Sequence, residues 1–177
     1  MPPCDMTLAL QSRHAVLERP STPRLTDVTF LAAIWCVNRQ WQAVIPDLDA
    51  HVTALTETLV IERAREALAL ALLDAPVQPR TRTLEDIPAF TRRHVPDAAR
   101  LIRVTPAPVN PLSLELQRVI QASGLSTGEL ARRLNTGHWV ILRMLDPFYW
   151  KHSLATLREL ADALNLTVQV RLVRADE

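Results

Sequence analysis

His138, Trp139, Leu142 and Arg143 fall within six residues, and in an α-helix they share one side. That set suits the edges of DNA bases. An arginine fork matches guanine or a phosphate, an indole packs against a thymine methyl group, and histidine adds a polar contact. Leu142 and Val140 bring no hydrogen-bonding group, so the face is unusually apolar and two uses are open to it: reading T-rich sites, or contact with protein. Thr127, Arg132, Arg133, Lys151 and His152 flank it where phosphates could be met, contacts that position a protein without reading sequence. His138 and His152 have no second or third ligand nearby, and Cys4 and Cys36 form no CxxC pair, so neither a metal nor another cofactor is expected. The two cysteines are expected to act as small apolar residues. No GxSxG, phosphate loop, HExxH or cysteine–histidine dyad is present, so no catalytic residue and no enzyme activity are expected.

The elements around these residues must hold them in place. Leu112, Leu116, Val119 and Ile120 recur at helical spacing and end at Gly124, which suits a left-handed C-cap. Ser126-Thr127-Gly128-Glu129 has the form of a capping box, with Glu129 expected to reach back over the helix start. Leu130, Ala131 and Leu134 give the next helix its buried side; the alanine lets a neighbouring helix cross close by. Asn135 tolerates a positive φ and so permits a sharp turn. Ile141, Met144 and Leu145 pack the following helix, and a last helix runs from a Ser153 cap to Asn165. Residues 167–173 then alternate, with Val168, Val170 and Leu172 on one face, as in a terminal strand. An unpaired strand needs a partner, either the same strand of a second chain or residues 100–105 of its own.

The front half has a different pattern. Residues 28–35 read as a strand covered on both faces, Val37-Asn38-Arg39-Gln40 as a turn, 41–45 as a second strand running into Pro46-Asp47-Leu48, and 51–55 as a third. Thr56 or Thr58 caps a helix whose Ile61, Ala64, Leu68 and Leu72 face inward, ending at Asp74. Seven prolines between Pro76 and Pro111 leave little room for long helices and read as a linker, within which residues 100–105 have strand character. The expected organisation is a 1–23 extension, a 24–75 domain, a 76–111 linker and a 112–177 helical domain. The fold class is α+β.

The order strand, strand, strand, helix, strand, with Trp41-Gln42-Ala43-Val44-Ile45-Pro46-Asp47-Leu48 and Glu62-Arg63-Ala64-Arg65-Glu66-Ala67-Leu68, resembles the HicB family of antitoxins. The resemblance implies a partial RNase H-like domain (βββαβ). Ala50, after the Pro46-Asp47-Leu48 turn, and Leu55 or a residue near it, before the helix, stand where that family usually has glycine. Residues 112–164, including Arg143-Met144-Leu145-Asp146-Pro147, are similar to the helix-turn-helix of many repressors and of one HicB subgroup. That similarity implies binding to double-stranded operator DNA by Thr127, Arg132, Arg133, His138, Trp139, Leu142, Arg143 and Lys151. The terminal strand's need for a partner points to a homodimer, or a tetramer built from it, and a two-fold dimer would set two such helices on successive turns of one DNA face. The family further implies a HicA-like RNase toxin as partner, with toxin-binding residues unassigned. The alternative is a stand-alone regulator whose front domain has become an oligomerisation or sensing unit. A metal-dependent nuclease would need carboxylates gathered at strand ends, where Asp27, Asp47 and Asp49 lie, but the family's partial fold is not a nuclease.

Bulk properties agree with this picture. The longest apolar-rich run, residues 67–73, is far short of the ~20 residues that span a bilayer, and no basic stretch leads into an apolar one at the start. A cytoplasmic location is therefore expected. Four basic and seven acidic residues across 24–75 leave −3, while six basic and three acidic across 76–111 leave +3, so an acidic domain is expected to precede a basic connector.

Overall fold

The computed structural model describes residues 28–75 and 77–170. The 1–23 extension, Cys4 and Asp27 lie outside the described residues. Among the described residues, the fold is a mixed α+β arrangement with a four-stranded antiparallel sheet and six α-helices.

Asn38 (φ 51°) and Arg39 (φ 63°) form the two-residue connection between β1 (Phe30–Val37) and β2 (Gln40–Ile45). Two successive left-handed residues give the turn whose twist matches paired strands. A 3₁₀ turn at Pro46–Leu48 leads to β3 (Ala50–Ala54), and Asp49 takes the left-handed conformation there (φ 49°). Aspartate tolerates that region better than most residues, so the chain makes this corner without the expected glycine. Leu55, read as part of the third strand, lies outside it and is 80% exposed. β4 (Arg100–Val104) pairs with the free side of β1, giving the order β3-β2-β1-β4.

The register sorts the sheet's side chains onto two faces. Phe30, Ala32, Ile34, Ala43, Ile45, Ala54 and Val104 form the first, against Val60, Ala64, Leu68 and Leu72 of α1 (Glu57–Asp74). Each buried valine or leucine in such a layer stabilises by about 1.5–3 kcal/mol. The helix starts at Thr56, whose Oγ1 accepts from Leu59 N at 3.2 Å. Ile61 is half-buried at the edge of this layer.

Ala33, Val44, Trp35 and Leu101 form the second face, and it is covered by the proline-rich segment read from sequence as a linker. Val95, Ala99 and Leu84 of that segment pack on it. Short α2 (Ala89–Arg92) lies within this cover. The Asp47 carboxylate fastens it, accepting from Arg80 N (3.1 Å), Thr81 N (3.0 Å) and Thr81 Oγ1 (2.8 Å), and Asp49 accepts from Thr91 Oγ1 (3.0 Å). Frequent prolines bar long helices but allow an irregular cover, so residues 77–99 belong to the sheet unit. The detour also sets strand direction. After α1 has carried the chain back along the sheet, a strand formed at once would run parallel to β1; the second pass reverses it, and β4 is antiparallel.

This packing corrects the charge expectation as well. Residues 28–104 hold nine acidic and nine basic side chains, so the folded unit is neutral rather than acidic. Cys36, expected to act as a small apolar residue, is exposed.

The second unit contains α3 (Pro111–Ser123), α4 (Thr127–Arg133), α5 (His138–Leu145) and α6 (Leu154–Ala163) around Leu116, Ile120, Leu130, Ala131, Ile141, Met144 and Leu160. Between the units the chain is pinned at both ends. Arg65 Nε donates to Thr105 O (3.1 Å) and Ala107 N donates to Arg65 O (2.9 Å), while Asn110 N donates to Pro147 O (2.7 Å). Thr167–Val170 belong to no strand and pair with none of the described strands, so the alternative pairing with residues 100–105 of the same chain is not formed over them. The rest of the anticipated terminal strand, 171–173, lies outside the described residues.

Glu66 sits near the junction of the units. Burial raises its pKa above the usual carboxylate value, Asp146 and Glu62 raise it further, and Arg63 opposes them. A raised value means that the folded state holds the proton more tightly than the unfolded chain. Stability therefore falls as pH rises through the interval between the ordinary and raised values, and stays lower above it. Glu66→Gln is expected to raise Tm slightly at pH 7, with the gain vanishing below about pH 4, where the parent carboxyl is protonated in both states. Thermal unfolding of both proteins across that range checks this.

Candidate functional site

The α4–α5 pair positions the residues singled out from sequence. Gly124 (φ 68°) closes α3 in the left-handed conformation. Ser126 Oγ accepts from Glu129 N at 3.1 Å, covering an amide that the first turn of α4 leaves free. Glu129 does not complete the expected capping box. Its carboxylate pairs instead with Arg132 and, at 3.7 Å, with Arg133. Two arginines one turn downstream outcompete a single backbone amide for this charge. Asn135 (φ 48°) makes the sharp turn after α4, and Thr136 N donates to Ala131 O at 2.9 Å, tightening it. Ala131 is buried, as close approach of the neighbouring helix requires.

The turn brings the two helix starts together: His138 Nε2 lies 2.7 Å from Thr127 Oγ1. These two residues are thus tied to each other. Trp139, 64% exposed, folds across Gly137. A Cβ at Gly137 would lie 2.8 Å from the indole Nε1, so only glycine leaves room for this placement. Leu142 is half-exposed beside it. Ile141 and Met144 point inward and fix the rotation of α5, leaving Trp139, Leu142 and Arg143 outward.

Arg143 occupies the last turn of α5, with its guanidinium carbon 4.8 Å from the Tyr149 ring centroid. Cation–π attraction holds it there. Lys151 is exposed nearby, and Trp139, Arg143, Tyr149 and Lys151 border one groove of about 230 Å³. Arg132 and Arg133 are exposed, and surface pairs such as theirs with Glu129 are worth little.

His152 differs from its sequence reading as a phosphate contact. Its Nε2 lies 2.9 Å from Met144 O, which can only accept, and its Nδ1 lies 3.3 Å from Asn110 Nδ2, which can only donate. Both ring nitrogens are used internally. Asn110, not singled out from sequence, is the centre of this network. It is buried, its Oδ1 accepts from Leu112 N (3.0 Å) and its Nδ2 donates to Tyr149 O (2.7 Å), so it caps α3 and holds the loop under Arg143 at once. Its place directly before Pro111 was the available signal, since asparagine followed by proline favours a helix start.

Of the three carboxylates placed at strand ends from sequence, Asp47 and Asp49 fasten the cover of the sheet, and Asp27 lies outside the described residues. No helix among the described residues is long and apolar enough to cross a membrane. Compared with protein-family models and with curated proteins, the chain matches none.

Proposed function

We propose that this chain is a non-enzymatic DNA-binding repressor of the HicB antitoxin type, in which α4 and α5 form a helix-turn-helix and α5 enters the major groove. The observation that carries the reading is the α4–α5 geometry. A left-handed Asn135 and a buried Ala131 set two short helices closely together, with Trp139, Leu142 and Arg143 facing outward on the second. A homodimer, paired through residues 167–173, would place two such helices on successive turns of one face of the duplex.

The antitoxin part rests on the resemblance of β1 through α1 to the HicB pattern. The neutral charge of the folded sheet unit gives no long-range pull on a basic toxin, so complementarity must come from a local surface. The exposed side of α1, with Glu62 and Asp74, is the acidic candidate.

One experiment separates the parts. The full chain is used to capture fragments of its own genome, and it is co-expressed with the neighbouring small reading frame. Selective recovery of its own upstream region, together with a toxic neighbour that it binds and neutralises, supports the whole reading. Recovery of the upstream region with no toxic neighbour leaves a stand-alone regulator. Failure to select any fragment overturns the DNA-binding reading.

A further inference from the structure

We propose that the groove between α5 and the loop before α6 is a clamp for one phosphodiester of the DNA backbone, gripped by Arg143 and Lys151. Base reading is then left to the apolar start of α5. The inference rests on the DNA-binding reading above and assigns a ligand chemistry within it.

The position of Arg143 is the first reason. In a helix laid into the major groove, the N-terminal side chains meet the base edges. Arg143 belongs to the last turn of α5, and the Tyr149 ring draws its guanidinium toward the following loop. The platform under it is braced. Tyr149 Oη donates to Lys151 O at 3.0 Å, and the ring of His152 meets the Tyr149 ring edge-on at 4.9 Å. A cation held in one place loses little freedom on binding an anion.

Charge balance is the second reason. Arg118, Arg132 and Arg133 each have a glutamate within their own helix. Among the described residues, neither Arg143 nor Lys151 has a carboxylate partner, yet both border the same groove with Ser153 and Thr156 on its polar wall. Two unneutralised cations facing one small groove favour an anion with several oxygens. The planar fork of Arg143 can take two of them while Lys151 supplies a point charge. Trp139 continues the groove toward the start of α5, so a strand whose phosphate sits between Arg143 and Lys151 would present its bases along the apolar face.

The test measures binding of the full chain to a mixed-sequence duplex by fluorescence anisotropy, from about 50 to 200 mM salt, the range over which phosphate contacts show most clearly. Arg143→Ala and Lys151→Ala are each expected to lower the slope of log affinity against log salt by about 1, equally for every duplex tried. Arg158→Ala removes a cation outside the groove and is expected to keep the parent slope. Tyr149→Leu retains every charge but releases the guanidinium, and is expected to weaken binding severalfold; a thermal melt confirms that it is folded.

An Arg143→Ala protein with the parent slope but relaxed preference at one base pair makes Arg143 a base reader and overturns the clamp. So does an Arg158→Ala protein whose slope falls as much, because cation number rather than the groove would then matter. A parent that binds an acidic peptide through these residues, and no duplex at low salt, overturns the DNA-binding reading itself.

Discussion

Leu130→Asp is expected to unfold the helical unit. Leu130 is fully buried in one cluster with Ile141, Met144 and Leu160, on the side of α4 that packs against α5. Removing a leucine from such a site costs about 2–5 kcal/mol through lost burial and the cavity left behind. A carboxylate with no partner adds several kcal/mol more. Domain stabilities are only about 5–15 kcal/mol, so the combined loss is comparable to the whole. Circular dichroism of the full chain should show the helix signal of α3–α6 lost at 25 °C, with that of α1 in the sheet unit retained. Leu130→Ala, which carries the cavity cost without the charge, should instead remain folded with a lowered Tm. Equal helix signal in parent and Leu130→Asp would mean that α4 does not pack as described.

The helical unit was largely legible in the sequence because its signals are local. Gly124, Ser126 and Asn135 each dictate a backbone conformation or a cap within a few residues, and all three act as read. Errors arose where a side chain had a choice of partners. Glu129 turns to Arg132 and Arg133 instead of the helix start, and His152 turns inward to Met144 and Asn110. Both choices depend on neighbours that only the folded chain brings near.

The sheet unit shows the opposite limit. Its strands and α1 follow from alternation and helical spacing, but its second layer has no period. Thr81, Ile87, Thr91, Val95 and Ala99 are buried one at a time between prolines and charged residues, a pattern that reads as linker. The clue lay in β1 itself, read as covered on both faces: such a strand needs two covers, and α1 supplies only one. The segment between α1 and the helical unit meets that need by folding back onto the sheet. The neutral charge of the sheet unit follows from the same step, since the basic segment folds onto the acidic one.

Trp139→Ala is expected to produce the largest loss of sequence-specific binding. Trp139 is 64% exposed, so its removal should change stability by no more than about 0.5 kcal/mol, as for most surface substitutions. Its contribution to the proposed function comes from placement: the indole lies across Gly137 at the first turn of α5, where a reading helix meets the base edges. An indole beside Leu142 has a single ring N–H to donate and a broad apolar surface, which fits thymine methyl groups. Loss of one good base contact is worth about 1–3 kcal/mol, or roughly 5- to 150-fold in affinity for the captured upstream fragment. Gly137→Ala tests the same placement with the indole retained, because the added Cβ must displace it. Replacing thymine by uracil in the fragment removes only the methyl groups. That change should weaken the parent and Leu142→Ala but have little further effect on Trp139→Ala, the non-additivity expected of two partners in one contact. If Trp139→Ala and Gly137→Ala both remain folded and bind the fragment like the parent, the apolar face of α5 serves protein contact, and base reading must be sought elsewhere.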